Sequence, residues 1–248
     1  MKVFGLKFTE KSLDEIVVDV CNESLRHDDF KLLVTANVDH LVTLNRNIIF
    51  KNACKRSWII TADGFPVVKF LKFVGHDVKG RITGADLFPK IMEKLSNKTH
   101  SPFFVVSTVE TQAYLVNWLT SRGFDNSERR VIVPPIGFEK DEQYTSMMIK
   151  QIHLVNATHL FMGVGAPKSE IWMDRNNKSL EGVKGFGFGA GIDFFAGTVK
   201  RAPKWMQEVG LEWFYRLISE PKRLAKRYLV SSWMFLYLAT KEYLNLKR

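Results

Sequence analysis

The chain of 248 residues is 46% hydrophobic and 25% charged, which excludes global disorder and gives length for one large domain or a domain with an appendage. Its 36 Lys and Arg outnumber 26 Asp and Glu, a formal charge of +10 that favours an anionic partner: nucleic acid, a nucleotide-sugar diphosphate or acidic lipid. The opening MKVFGLKF lacks a long apolar signal region and no stretch reaches the ~18 apolar residues of a membrane span, so secretion and bilayer crossing are disfavoured.

Taken in order, Leu13, Ile16, Val17, Val20 and Leu25 predict a helix within Phe8–Arg26, with Thr9 or Ser12 as its cap. Lys31–Ala36 reads as a strand that exits through Asn37-Val38-Asp39 into a helix over about 38–55, and Trp58–Thr61 as the next strand before a helix over 65–74. Gly75 to Arg81 is a polar, mobile-looking link to a helix over Gly84–Leu95. Pro102–Val106 predicts a strand before a helix near Glu110–Arg122. Arg130–Val133 predicts another, stopped by Pro134-Pro135, with a helix over about 141–154. His159–Val164 predicts a strand running into Gly165-Ala166-Pro167-Lys168 and a helix over about 169–178, and Lys184–Phe188 is the last strand. Apolar strands without clean alternation, interleaved with helices, indicate α/β architecture with a mostly parallel sheet covered on both faces. Cys21 and Cys54 have no CxxC or His at ligand spacing, which suits reduced thiols in a cytosolic compartment.

The last fifth changes character: residues 198–248 hold 11 Lys or Arg against 4 acids. Pro221 predicts a break or a new helix start. Lys222, Arg223, Lys226 and Arg227 then precede the charge-free run Tyr228–Thr240. That run suits an interfacial helix with basic flanks, or one packed on the domain or across an oligomer interface.

Ligands of open α/β sheets gather outside the carboxyl ends of the strands, and Asp63, beside Gly64, stands at such an end. Its carboxylate suits a general base for a bound hydroxyl; equally, Asp is a common cap, here for the segment opening at Phe65. Thr35 and Asn37 occupy the equivalent edge of the preceding strand, as neutral partners for sugar or phosphate or as turn and cap residues. Arg81 offers fixed donors to a diphosphate or carboxylate, or is plain surface, and Asp86 reads first as a helix cap. Gly163, Gly165, Pro167 and Lys168 form a tight strand-to-helix connection whose amides, with Lys168, suit an anion; a structural turn explains the glycines as well. Gly189, Gly191 and Asp193 suggest close backbone approach to a ligand, with Asp193 alternatively capping or pairing with Lys200 or Arg201. The six histidines are scattered, there is no DxD triplet, and neither GxGxxG nor GxxxxGK[ST] is found. If the charge of a leaving group must be neutralised, arginines and helix ends are the available groups, with Arg216, Arg223 and Arg227 as candidates.

Five stretches in order, TANVDH at 35–40, TADGFPVV at 61–68, GRITGADLF at 80–88, GVGAPKSEIW at 163–172 and GIDFFAGTVKRAPKWMQEVGLEWFYRLISEPKRL at 191–224, resemble the bacterial WecG/TagA/CpsF glycosyltransferase family. The resemblance implies a Rossmann-like catalytic core, residues 1–197, and a helical membrane-docking appendage, residues 198–248. It implies inverting, metal-independent transfer of an N-acetylmannosamine-type sugar from a UDP donor to a polyprenyl-diphosphate-linked acceptor, with no cofactor, in teichoic acid, common antigen or exopolysaccharide assembly. The protein would lie peripherally on the cytoplasmic face of an anionic membrane. Carried over by motif, Asp63 is the catalytic aspartate, Thr35 and Asn37 are the threonine and asparagine of the TxN element, and the basic groups Arg81, Arg216 and Arg223 would face the donor diphosphate. Asp86, Gly163, Gly165, Lys168, Ser169, Gly191 and Asp193 complete the expected substrate site. Where the family typically has PKQE, this chain has Pro167-Lys168-Ser169-Glu170, which shortens or removes a contact to the donor. A hexosyltransferase using another UDP-sugar is the nearer alternative. A nucleic-acid-binding protein explains the basic tail but leaves the strand-end clusters unused, so nucleic acid is not the expected partner; a homo-oligomer is compatible.

Overall fold

The computed structural model describes residues 1–22 and 29–247, with the backbone alone at 223 and 225–229. Its centre is a six-stranded sheet in the order β2-β1-β6-β5-β3-β4. The strands are β1 (Lys31–Ala36), β2 (Ile59–Ala62), β3 (Pro102–Val105), β4 (Val131–Ile132), β5 (His159–Met162) and β6 (Lys184–Gly187). All five pairings are parallel, so the carboxyl ends of all six strands share one edge.

Successive strand residues turn to opposite faces, and the core divides accordingly. Leu32, Val34, Phe103, Val105, Leu160 and Met162 pack against α2 (Val38–Arg46), α3 (Ile48–Arg56), α4 (Phe65–Phe73), α7 (Glu142–Leu154) and α8 (Lys168–Arg175). Leu33, Phe104, Phe161 and Phe186 face α1 (Leu13–Cys21), α5 (Gly84–Lys94), α6 (Val109–Ser121) and α9 (Ala190–Ala196). The register that sets Phe104 opposite Phe161 and Phe161 opposite Phe186 stacks the three rings, with centroids 5.2 and 4.7 Å apart. Short polar residues start the helices: Ser12 and Glu15 form a reciprocal capping box at α1, and Thr83, Thr108 and Asp141 cap α5, α6 and α7.

The continuous helix expected over 38–55 is two. Asn47 takes an extended conformation, donates its N–H to Thr43 O at 2.9 Å and accepts from Phe50 N at 3.0 Å, ending α2 and starting α3. An asparagine side chain competes for backbone partners better than a helix interior uses it. The link 75–81 is anchored rather than loose, because His76 and Val78 are buried and Ile82 N donates to Ala62 O at 3.0 Å beyond it.

After the core come α10 (Lys204–Glu208), α11 (Glu212–Ser219) and α12 (Pro221–Leu246), the last begun by its proline. One face of α12 packs on the domain: Phe235 and Leu238 are buried, the Phe235 ring lies 6.2 Å from Phe4, and Ser231 Oγ donates to Asp39 Oδ1 at 3.0 Å. The opposite face leaves Trp233 75% exposed, with Leu236 and Tyr237 also open. Among the described residues no helix is long and apolar enough to cross a membrane.

Candidate active site

The parallel sheet brings Asn37 after β1, Asp63 after β2, the 163–168 turn after β5 and Gly189 after β6 to one edge. Asp63 is tied there by its backbone, whose N–H donates to Ala36 O at 2.9 Å. Its carboxyl does not cap α4. Gly64 is the N-cap residue, at φ +112°, and no side-chain cap bond forms. A β-carbon at that dihedral is strained, so glycine lets the chain turn away directly behind the acid. The half-buried carboxyl of Asp63 is pushed up to about 7, chiefly by burial; Arg81 and then His40 pull it down, while Glu212 and Asp86 reinforce the rise. A carboxyl held near neutrality is well matched to accepting a proton from a hydroxyl.

Beside it, two arginines and two acids close a ring. Arg81 Nη1 donates to Glu212 Oε2 at 2.9 Å, and Arg201 Nε to Glu212 Oε1 at 3.2 Å. Arg201 Nη2 donates to Asp86 Oδ1 at 2.7 Å, and Asp86 Oδ2 lies 3.9 Å from Arg81 Nη2. Arg201 also donates to Ala85 O at 3.3 Å, Thr83 Oγ1 donates to Asp86 Oδ2 at 2.8 Å, and the Arg81 guanidinium lies 5.5 Å from the Phe65 ring. Thr83, not Asp86, is therefore the cap of α5; Asp86 is an acceptor that aligns arginines. Glu212, on α11, bridges Arg81 of the core to Arg201 of the connection before α10. One turn further along α11, the Arg216 guanidinium lies 5.7 Å from the Phe194 ring, and its buried Nε has no hydrogen-bond partner among the described residues.

The other expected residues separate into edge and packing groups. Thr35 is buried one residue before the end of β1, opposite Thr61. Asn37 caps α2, accepting from His40 N at 3.1 Å. Gly163 is buried, and its N–H donates to Val105 O at 2.7 Å; Gly165, at φ +88°, and half-buried Lys168 continue the turn. The buried Ser169 hydroxyl donates to Gly165 O at 3.1 Å, so it is spent on the turn that precedes its helix. Gly191 has a packing reason: a β-carbon there would stand 2.9 Å from Ala85 N, so glycine lets α9 meet α5. Asp193 accepts from Thr111 Oγ1 at 2.9 Å, which ties α9 to α6, while Arg201 goes to Asp86 and Glu212. The Arg223 and Arg227 side chains lie outside the described residues. Among those that are described, no group of three or more His, Cys, Asp or Glu is arranged to hold a metal ion.

The family model described as Glycosyl transferase WecG/TagA/CpsF family matches residues 1–248, the whole chain. The chain belongs to this glycosyltransferase family. A WecG/TagA/CpsF glycosyltransferase needs a sugar donor and an acceptor, and the edge offers an acid beside guanidinium groups. Sequence reasoning missed Glu212 and the partners of Arg201, because an ion pair between residues 131 apart leaves no local pattern. It also passed over His40 and Glu170, which stand inside the quoted TANVDH and GAPKSE stretches but read there as ordinary polar residues.

Proposed function

We propose that this glycosyltransferase moves N-acetylmannosamine or a closely related sugar from a UDP donor to a sugar on a polyprenyl diphosphate, with inversion at the anomeric carbon. The acceptor hydroxyl attacks from the face opposite UDP, and Asp63 takes its proton as the new bond forms. Arg81 and Arg216, with Arg223, offset the charge that develops on the leaving diphosphate, without a metal. Thr35, Asn37 and the 163–168 turn with Lys168 bind the donor. The observation that carries this reading is the half-buried Asp63 carboxyl, held near neutrality at a strand end beside Arg81.

Residues 198–248 form the appendage of a catalytic core, 1–197, and bring it to the lipid. Support comes from a basic segment that leaves Trp205 60% exposed, and also Trp213, Phe214 and Ile218 open on α10 and α11. Aromatic side chains beside basic residues suit the interface of an anionic leaflet.

Asp63→Asn should lower turnover at least 1,000-fold, roughly the upper part of what a positioned base supplies, with circular dichroism unchanged. Near-normal turnover would reject the base assignment. A panel of UDP-sugars with a short-chain lipid diphosphate acceptor, product anomer read by NMR, tests donor and stereochemistry together. Because α12 covers part of the core, the membrane arm uses Trp213→Glu with Ile218→Glu rather than truncation. Loss of binding to phosphatidylglycerol vesicles is expected, and unchanged binding would reject the docking reading.

A further inference from the structure

A buried line of side chains runs inward from Asn37. Its Oδ1 accepts from His40 N at 3.1 Å and lies 2.8 Å from His40 Nδ1. The backbone donor identifies that atom as the amide oxygen, so Nδ1 is the ring nitrogen that carries a proton toward it. The other nitrogen, Nε2, faces Glu170 Oε1 at 3.7 Å. His40 is 7% exposed and Glu170 only 1%, and neither His40 Nε2 nor Glu170 Oε2 has a hydrogen-bond partner among the described residues. Phe50 closes one side of the imidazole, with centroids 5.7 Å apart. Gly187 makes the room, since a β-carbon there would collide with Glu170 Oε1 and stand 3.0 Å from its Cδ.

Capping a helix requires none of this. Asn47 starts α3 through the same backbone bond, and its third residue onward is Phe50, which offers no side-chain donor. A buried acid is costly in a fold that needs only a cap. The surplus at Asn37 therefore serves the asparagine side chain itself, which stands at the strand edge occupied by Asp63.

We propose that His40 and Glu170 are positioning residues for Asn37. Glu170 lies across from Nε2 and backs the ring, which keeps its Nδ1 edge against Asn37 Oδ1 and fixes the amide with its NH2 as the free end. That NH2 bonds no described residue, and its complement is an oxygen acceptor: a phosphate or hydroxyl of the nucleotide sugar. This rests on the reading of Asn37 as a donor-binding residue.

The test compares Asn37→Ala, His40→Asn, His40→Gln and Glu170→Ala. An asparagine amide reaches the place of Nδ1 and keeps the bond to Asn37; a glutamine amide reaches the place of Nε2 and loses it. UDP binding by calorimetry and donor KM and kcat are measured beside melting temperature. Asn37→Ala should weaken UDP binding or raise donor KM by about 3- to 30-fold, the worth of one directed hydrogen bond. His40→Gln and Glu170→Ala should follow it in KM more than in kcat, and His40→Asn should stay near wild type. Equal losses in His40→Asn and His40→Gln that track melting temperature would reduce the pair to a structural role and overturn the proposal. Wild-type behaviour of His40→Gln beside an impaired Asn37→Ala would also overturn it. A fully active Asn37→Ala would instead remove the donor-binding reading of Asn37, and the proposal with it.

Discussion

At the amino ends of two strands, a buried lysine and a buried histidine find partners. Lys184 Nζ donates to the carbonyls of Asp19, Val20 and Asn22 at 3.1, 2.7 and 2.7 Å, and His159 Nε2 lies 2.9 Å from Val20 O. Together with His100, 3.1 Å from Cys21 O, they take up the carbonyls that end α1. At the carboxyl edge, Asp63 is raised by burial, and His40 Nε2, Glu170 Oε2 and Arg216 Nε are buried without a hydrogen-bond partner among the described residues. Saturated polar groups stabilise a fold, and unsaturated ones at a strand-end edge are where a ligand or proton can complete them.

The comparison breaks first at Lys184. Lys184→Met leaves the carbonyls that end α1 without their donor in a buried place, and should cost about 3 kcal/mol, the upper end of what an unsatisfied buried acceptor costs. Urea denaturation measures it; a loss under 1 kcal/mol would mean that water substitutes freely at this end.

Glu212→Gln tests the other end. With one acid of the ring neutralised, Arg81 and Arg201 repel, and docking of α11 should weaken by about 1–3 kcal/mol. Limited proteolysis near the exposed residues 197–200 should accelerate, and turnover should fall with it. Unchanged cleavage would show that α11 is held by packing alone.

Asp63 and His159 differ in the sign of their pH dependence. Asp63 rises from 3.8 to about 7 on folding, so its contribution is complete below 3.8 and is lost as pH rises through about 7. Asp63→Asn should therefore raise the melting temperature at pH 8 by a few degrees and by less at pH 4. His159, buried and neutral, falls from 6.5 to about 3, so its contribution is complete above 6.5 and drains away as pH falls toward 3. His159→Gln should flatten the stability profile between pH 6 and 4, by up to about 1.4 kcal/mol per unit. A profile unchanged by that substitution would mean that the ring charges in the folded protein.

Much of this was legible in the chain. The parallel α/β order, Asp63 at the second strand end, Pro221 opening the last helix and a family resemblance over most of the chain all rest on local periodicity, turn residues and short motifs. The single helix over 38–55 was misread because Asn47 acts through its own side chain against an otherwise helical pattern. Gly191 and Asp193 suggest close approach to a ligand, and the structure gives each a packing contact, since a glycine needed for α9–α5 packing and one needed for a ligand are spelled alike.

Sequence by itself determined the alternation of strands and helices, though not the break at Asn47, and that acids, amides and arginines would follow strand ends. Tertiary structure alone decided that Glu212 spans Arg81 and Arg201, that Glu170 sits under Gly187 against His40, and that α12 hides Phe235 while exposing Trp233. The reason is physical: periodicity and capping are properties of neighbours within one turn, whereas burial, charge pairing and the pKa of an acid depend on what the fold brings from far along the chain.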